Sequence, residues 1–144
     1  MDLFDKLSFW FSPTSAVLEL VGTWNVGGCG SEKQCEDSLY DYLQRSLDGV
    51  QIIRQYGRAR SFVDIMVADR VMVELKYELT STAEYQRLVG QLVGYKEWNK
   101  DIIVVLVGNT EPNLLKNLQK VVDKEFVGFT LFDNNVTIVE KRSG

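Results

Sequence analysis

The 144-residue sequence predicts an α/β fold, a mixed sheet with helices covering its faces. Three observations predict it. Cys35, Leu39, Tyr42, Leu43 and Leu47 recur at helical spacing, as do Leu88, Leu92 and Tyr95. Between those stretches lie three short strand-like runs, Val50–Tyr56, Phe62–Val67 and Val71–Tyr77. Beyond them, Ile102–Val107 is apolar at every position, the pattern of a strand buried on both faces.

Taken in order, residues 3–24 are rich in Leu, Phe, Trp and Val. Leu3, Phe4, Leu7, Phe9, Trp10 and Phe11 are too many for a polar-faced helix. The segment is expected to pack on the domain's own core, the alternative being a dimer or partner surface. Asn25–Gly30 (NVGGCG) reads as a flexible connector. It lacks the GxxxxGK[ST] spacing that cradles a phosphate, so no nucleotide cofactor is expected. Ser31 caps the first confident helix, with acidic residues in its first turn. Gly57-Arg58-Ala59-Arg60 separates the first strand from the second, and Ala68-Asp69-Arg70 the second from the third. A second helix runs from about Ser81 to Trp98, capped by Thr80 or Ser81 with Glu84 in its first turn. Pro112–Glu125 is a third, with proline where a helix start tolerates it. Val127–Phe132 and Val136–Lys141 flank Asp133-Asn134-Asn135 as a hairpin. One domain is expected over 1–144: an apolar N-terminal segment and connector (1–30), a core (31–109), and a C-terminal helix and hairpin (110–144).

Composition removes several chemistries. There is no histidine, which excludes Ser-His-Asp and Cys-His catalysis and most zinc enzymes. Two cysteines cannot form a disulfide framework or a four-ligand zinc site; Cys35 reads as a small buried apolar residue. Any metal must be hard and oxygen-bound, which points to Mg²⁺ or Mn²⁺. Formal net charge is −4, which counts against strong non-specific nucleic-acid binding but leaves room for a locally basic groove. No run of about 20 apolar residues exists to cross a bilayer. Asp2 and Asp5 precede Lys6, whereas a secretory leader wants a positive start, so a cytoplasmic location is expected.

The chemistry lies around Ala68-Asp69-Arg70. If those three residues form the loop, Val67 pairs with Val71, and counting back sets Asp64 across from Glu74, roughly 5 Å apart at Cβ. Strict alternation puts Val63, Ile65 and Val67 on one face and Phe62, Asp64 and Met66 on the other, with Glu74 and Lys76 sharing a face of the third strand. Two opposed carboxylates repel unless a cation lies between them or one is protonated. An ammonium beside them completes a set suited to phosphodiester hydrolysis: a cation to neutralise the phosphate and activate water, and a lysine to position or deprotonate that water. A solvated cross-strand salt-bridge cluster would look the same at this level.

The stretch VDIMVADRVMVELK, residues 63–76, followed by QLVGYKEW, residues 91–98, resembles the PD-(D/E)xK nuclease superfamily with its restriction-endonuclease-like fold. The likeness is to the RecB-like and lambda-exonuclease-like branch, which carries a QxxxY element. It implies a core of helix, three-stranded antiparallel meander, helix and strand, here Glu32 to Val107. By that resemblance Asp64 is the first acid and Glu74-Leu75-Lys76 the (D/E)xK. Asp64, Glu74, the Leu75 carbonyl and a helix glutamate, Glu36 or its neighbour Glu32, hold metal. Gln91 and Tyr95, on one face of the second helix, orient the lysine and approach DNA. Val63 stands where the family name has proline.

The resulting expectation is a Mg²⁺- or Mn²⁺-dependent deoxyribonuclease, an endonuclease on duplex or branched DNA. Arg54, Tyr56, Arg58, Arg60 and Lys96 are the expected DNA contacts. Dimerisation through the apolar N-terminus or the final hairpin would enlarge a small footprint. The rival expectation is a non-catalytic module of the same fold that binds nucleic acid or protein.

Overall fold

The strand runs assemble into one five-stranded sheet in chain order, in a computed structural model that describes residues 2–58, 61–126 and 135–142, with Arg58 as backbone only. The strands are β1 (Ile52–Arg58), β2 (Ser61–Val67), β3 (Val71–Tyr77), β4 (Asp101–Val107) and β5 (Val136–Lys141). β1, β2 and β3 form an antiparallel meander; β4 lies parallel to β3, and β5 parallel to β4. Parallel neighbours need long crossovers. α4 (Thr82–Tyr95) provides one and α5 (Pro112–Glu125) lies within the other. α3 (Glu32–Ser46) precedes the sheet, and α1 (Leu3–Phe11) and α2 (Pro13–Thr23) precede α3.

Local chemistry sets the ends. Ser31 caps α3 by accepting from the Gln34 amide, and Ser81 caps α4 by accepting from that of Glu84. Ala68 and Asp69 both take φ 54°, and Arg70 N–H closes the turn on the Val67 carbonyl. That fixes the expected pairs Val67–Val71, Met66–Met72 and Ile65–Val73.

The sheet is covered on both sides. Val71, Val73 and Leu75 face one core with Ile103, Val105 and Val107, closed by Val17, Val21, Leu39 and Leu43. Met72, Ile102, Val104 and Leu106 face a second core, closed by Leu88, Leu92, Tyr95 and Leu118. Residues 102–107 are buried throughout, as a two-sided strand requires. Each such side chain contributes about 1.5–3 kcal/mol by leaving water.

Three expectations need amending. The N-terminal segment is two helices, broken where Pro13 starts α2. α2 buries Val17 and Val21, but α1 buries only Phe9 and turns its other large apolar side chains outward. β1 continues through Gly57 and Arg58, which were expected to break it. The helix expected to reach Trp98 leaves α geometry at Tyr95, and Lys96–Trp98 tighten into a 3-10 turn ended by left-handed Asn99. Of the expected terminal hairpin, Val127–Phe132, Asp133 and Asn134 lie outside the described residues, while the second arm is β5 beside β4.

One departure bears on the site. Alternation fails midway along β1 and β2. Ile65 and Val67 lie in the α3-side core, yet Val63, of the same parity, lies in the α4-side core. Ile52 and Arg54 face α3, whereas Tyr56 packs on the α4 side. The pairing Arg54–Ile65 resumes at Tyr56–Val63 with no residue inserted, and Gln55, opposite Asp64, has φ 49°. A left-handed residue inside a strand reverses the pleat, a conformation that costs energy for a side chain with a Cβ.

Candidate active and metal-binding site

The pleat reversal frees Asp64 from the regular ladder. Register pairs end at Ile65–Val73, and beyond that point the Asp64 carboxylate takes the place of a backbone partner: Leu75 N–H donates to its Oδ2 at 2.8 Å. The expected pair Asp64–Glu74 lies one position past the last register pair, and the two carboxyls are close enough for the Asp64 charge to act on Glu74.

Glu74 is 1% exposed. Its Oε2 accepts from the Tyr95 hydroxyl at 3.0 Å, and its Oε1 lies 3.9 Å from the Lys76 ammonium. Burial pushes the carboxyl up to about 8; the Asp64 charge adds to that, and Lys76 and the Tyr95 hydrogen bond oppose it. Burial beside Asp64 thus favours the protonated form of Glu74, which relieves the repulsion between the two carboxyls. Tyr95 also meets the Phe62 carbonyl at 2.6 Å, tying α4 to β2. Its hydroxyl is held protonated by burial and by the neighbouring Glu74 charge.

Glu36 is buried on α3 and reaches the site through Gln55, whose amide donates to Glu36 Oε1 at 2.9 Å and to Asp64 Oδ1 at 3.3 Å. Glu32, one turn earlier, accepts from Tyr77 N–H at 3.4 Å. The two helix acids thus flank the site, Glu36 on the Asp64 side and Glu32 at the end of the Lys76 strand. Gln91 lies on the Tyr95 face of α4, and its side-chain carbonyl is buried with no hydrogen-bond partner among the described residues. A buried acceptor left open costs about 1–3 kcal/mol, so this atom is available to a water or ligand.

The expected DNA contacts fare differently. Arg54 turns inward: it bonds Asp37 at 2.6 Å, approaches Glu36 at 3.5 Å and stacks over Tyr40. Lys96 pairs with Glu125 at 3.3 Å, and Tyr56 packs edge-on against Trp98. Arg60 and the Arg58 side chain lie outside the described residues. Gln55 was missed from the sequence. Its only signal was its place opposite Asp64 on the neighbouring strand.

The oxygen-rich set suits a hard cation. Among the described residues no three His, Cys, Asp or Glu side chains gather closely enough to hold one unaided. Arg54 and Gln55 draw Glu36 aside, leaving Asp64 and Glu74 as the adjacent acids. That number fits Mg²⁺, which commonly takes one or two carboxylates and keeps waters and substrate oxygens for the rest.

No protein-family model matches the chain, and no curated protein matches it. Among solved structures it is similar to Pyrococcus furiosus SfsA in complex with Ca²⁺, at a TM-score of 0.45 and 12% identity. The match covers 76% of this chain and 58% of that one, so the chain spans well under two thirds of the SfsA length. Among the described residues no helix is long and apolar enough to cross a membrane.

Proposed function

We propose that the chain is a Mg²⁺- or Mn²⁺-dependent nuclease that hydrolyses DNA phosphodiester bonds, cutting within duplex or branched strands. The observation that carries this reading is the Asp64–Glu74 juxtaposition where the β2–β3 ladder stops, with the Lys76 ammonium beside it. A structural salt bridge has no need of a second, buried carboxylate that must be protonated to be tolerated.

Asp64, Glu74 and the Leu75 carbonyl would hold the cation, with Glu36 joining when it leaves Gln55. The bound cation would neutralise the scissile phosphate and lower the pKa of a water. Glu74 must lose its proton to become a ligand, and Tyr95 then fixes the carboxylate by donating to Oε2. Lys76, its ammonium 3.9 Å from Glu74 Oε1, would position the attacking water and donate to charge developing on the phosphate. Gln55 keeps Glu36 and Asp64 side by side until the cation replaces it.

Incubation of purified protein with linear, branched and single-stranded DNA, with Mg²⁺ or Mn²⁺, tests this reading. Cleavage lost in Lys76→Ala is expected; absence of cleavage on all three substrates rejects the enzyme. A second reading, a non-catalytic binding module, draws support from Arg54 and Lys96 being spent on internal ion pairs. Mn²⁺ calorimetry separates the two: binding that Asp64→Ala removes supports the nuclease.

A further inference from the structure

α1 displays an apolar stripe that the described residues leave largely open, with Arg70 lying over the Trp10 ring at 5.8 Å. Leu3, Phe4, Leu7, Trp10 and Phe11 are 73%, 79%, 61%, 51% and 95% exposed, while Phe9, on the opposite side, is buried. At 3.6 residues per turn the five fall within an arc of about 120° centred on Leu7. Asp2, Asp5, Lys6 and Ser8 all lie outside that arc. The helix is not frayed at its start: Asp5 N–H donates to Asp2 Oδ1 at 2.8 Å, and Asp2 N–H to Asp5 Oδ2 at 3.4 Å.

We propose that this stripe docks on the same stripe of a second copy of the chain, as an antiparallel helix pair about a two-fold axis through Leu7. The spacing is self-complementary. Such an axis sets Leu7 on Leu7, Phe4 on the partner's Trp10, and Leu3 on the partner's Phe11, the isologous arrangement that two-fold dimers require. The area also suffices. Three aromatic rings and two leucines at these exposures present on the order of 600 Å² per copy. Two copies then bury about 1,200 Å², the lower bound of a specific interface, before any rim contact is added. A membrane surface is the poorer occupant. Lys6 is the helix's one cation against Asp2 and Asp5, whereas interfacial helices set Lys and Arg around the apolar face.

Mass measurement of the full chain in solution at micromolar concentration tests the dimer. A mass near twice 16.4 kDa is expected. Leu7→Lys, which sets two ammonium groups on the axis, and Phe4→Lys should each give the monomer with an unchanged melting temperature. The F4K/W10E double variant should restore the dimer, because each new cation then meets a new carboxylate of the partner. A wild type that stays monomeric overturns the proposal. So does a dimer that survives both single substitutions, or a monomer that binds phosphatidylcholine vesicles through this face. None of these results depends on nuclease activity.

Discussion

The two ends of the β2–β3 pair differ sharply. At the turn end, Val67–Val71, Met66–Met72 and Ile65–Val73 are paired in register, and all six side chains are buried and apolar. One position further on, a carboxylate sits where a backbone partner would be, opposite a second, buried carboxylate. The first end is what a sheet does by default. The second gives up ladder bonds, holds Gln55 in a left-handed conformation and buries an acid, and each of these costs stability. The regular end is a rigid base from which the irregular end can hold charge.

The largest effect that would break this contrast lies at the irregular end. Lys76→Ala should lower the DNA cleavage rate about 100- to 10,000-fold with the fold intact, read from single-turnover kinetics beside circular dichroism. Next is the pH dependence of the metal-free protein. Glu74 ordinarily titrates near 4.5 and is pushed up to about 8, so the folded state binds the extra proton between those values. Stability is therefore highest below that window and falls as pH rises through it, by up to about 1.4 kcal/mol per pH unit. Glu74→Gln should flatten the slope in chemical denaturation; an equally steep slope in that variant would assign it elsewhere. At the regular end, Val67→Ala should cost about 2 kcal/mol from the cavity it leaves, with Mn²⁺ affinity unchanged. The smallest effect sharpens the comparison most. Gln55→Gly accepts the positive φ at no strain but loses both amide bonds. Melting within a few degrees of wild type is expected, with Mn²⁺ affinity about tenfold tighter by calorimetry, because the ion no longer has to displace the amide from Glu36 and Asp64. Weaker binding would show instead that Gln55 organises the two acids for the ion.

The sequence carried much of the regular end. Alternation and a three-residue loop were enough to set Val67 on Val71 and, by counting, Asp64 across from Glu74. Helical spacing placed Glu36 and Tyr95 on helices that do meet the sheet there. Periodicity assumes an unbroken pleat, so it could not show Val63 crossing to the α4 side, nor Gln55 turning toward α3. Arg54 looked free because no local pattern announces a partner 17 positions away on α3. The outward stripe of α1 was equally hidden. Six bulky apolar residues imply burial somewhere, and composition does not say against what.

Tyr95 carries a further consequence. Its hydroxyl has one hydrogen and stands within reach of two acceptors, the Phe62 carbonyl and Glu74 Oε2. Once Glu74 ionises, two acceptors compete for that hydrogen, and the charged one holds the stronger claim. One phenol thus bonds both the buried acid on β3 and the β2 backbone two residues ahead of Asp64, so α4 meets the site and the strand leading into it through a single atom.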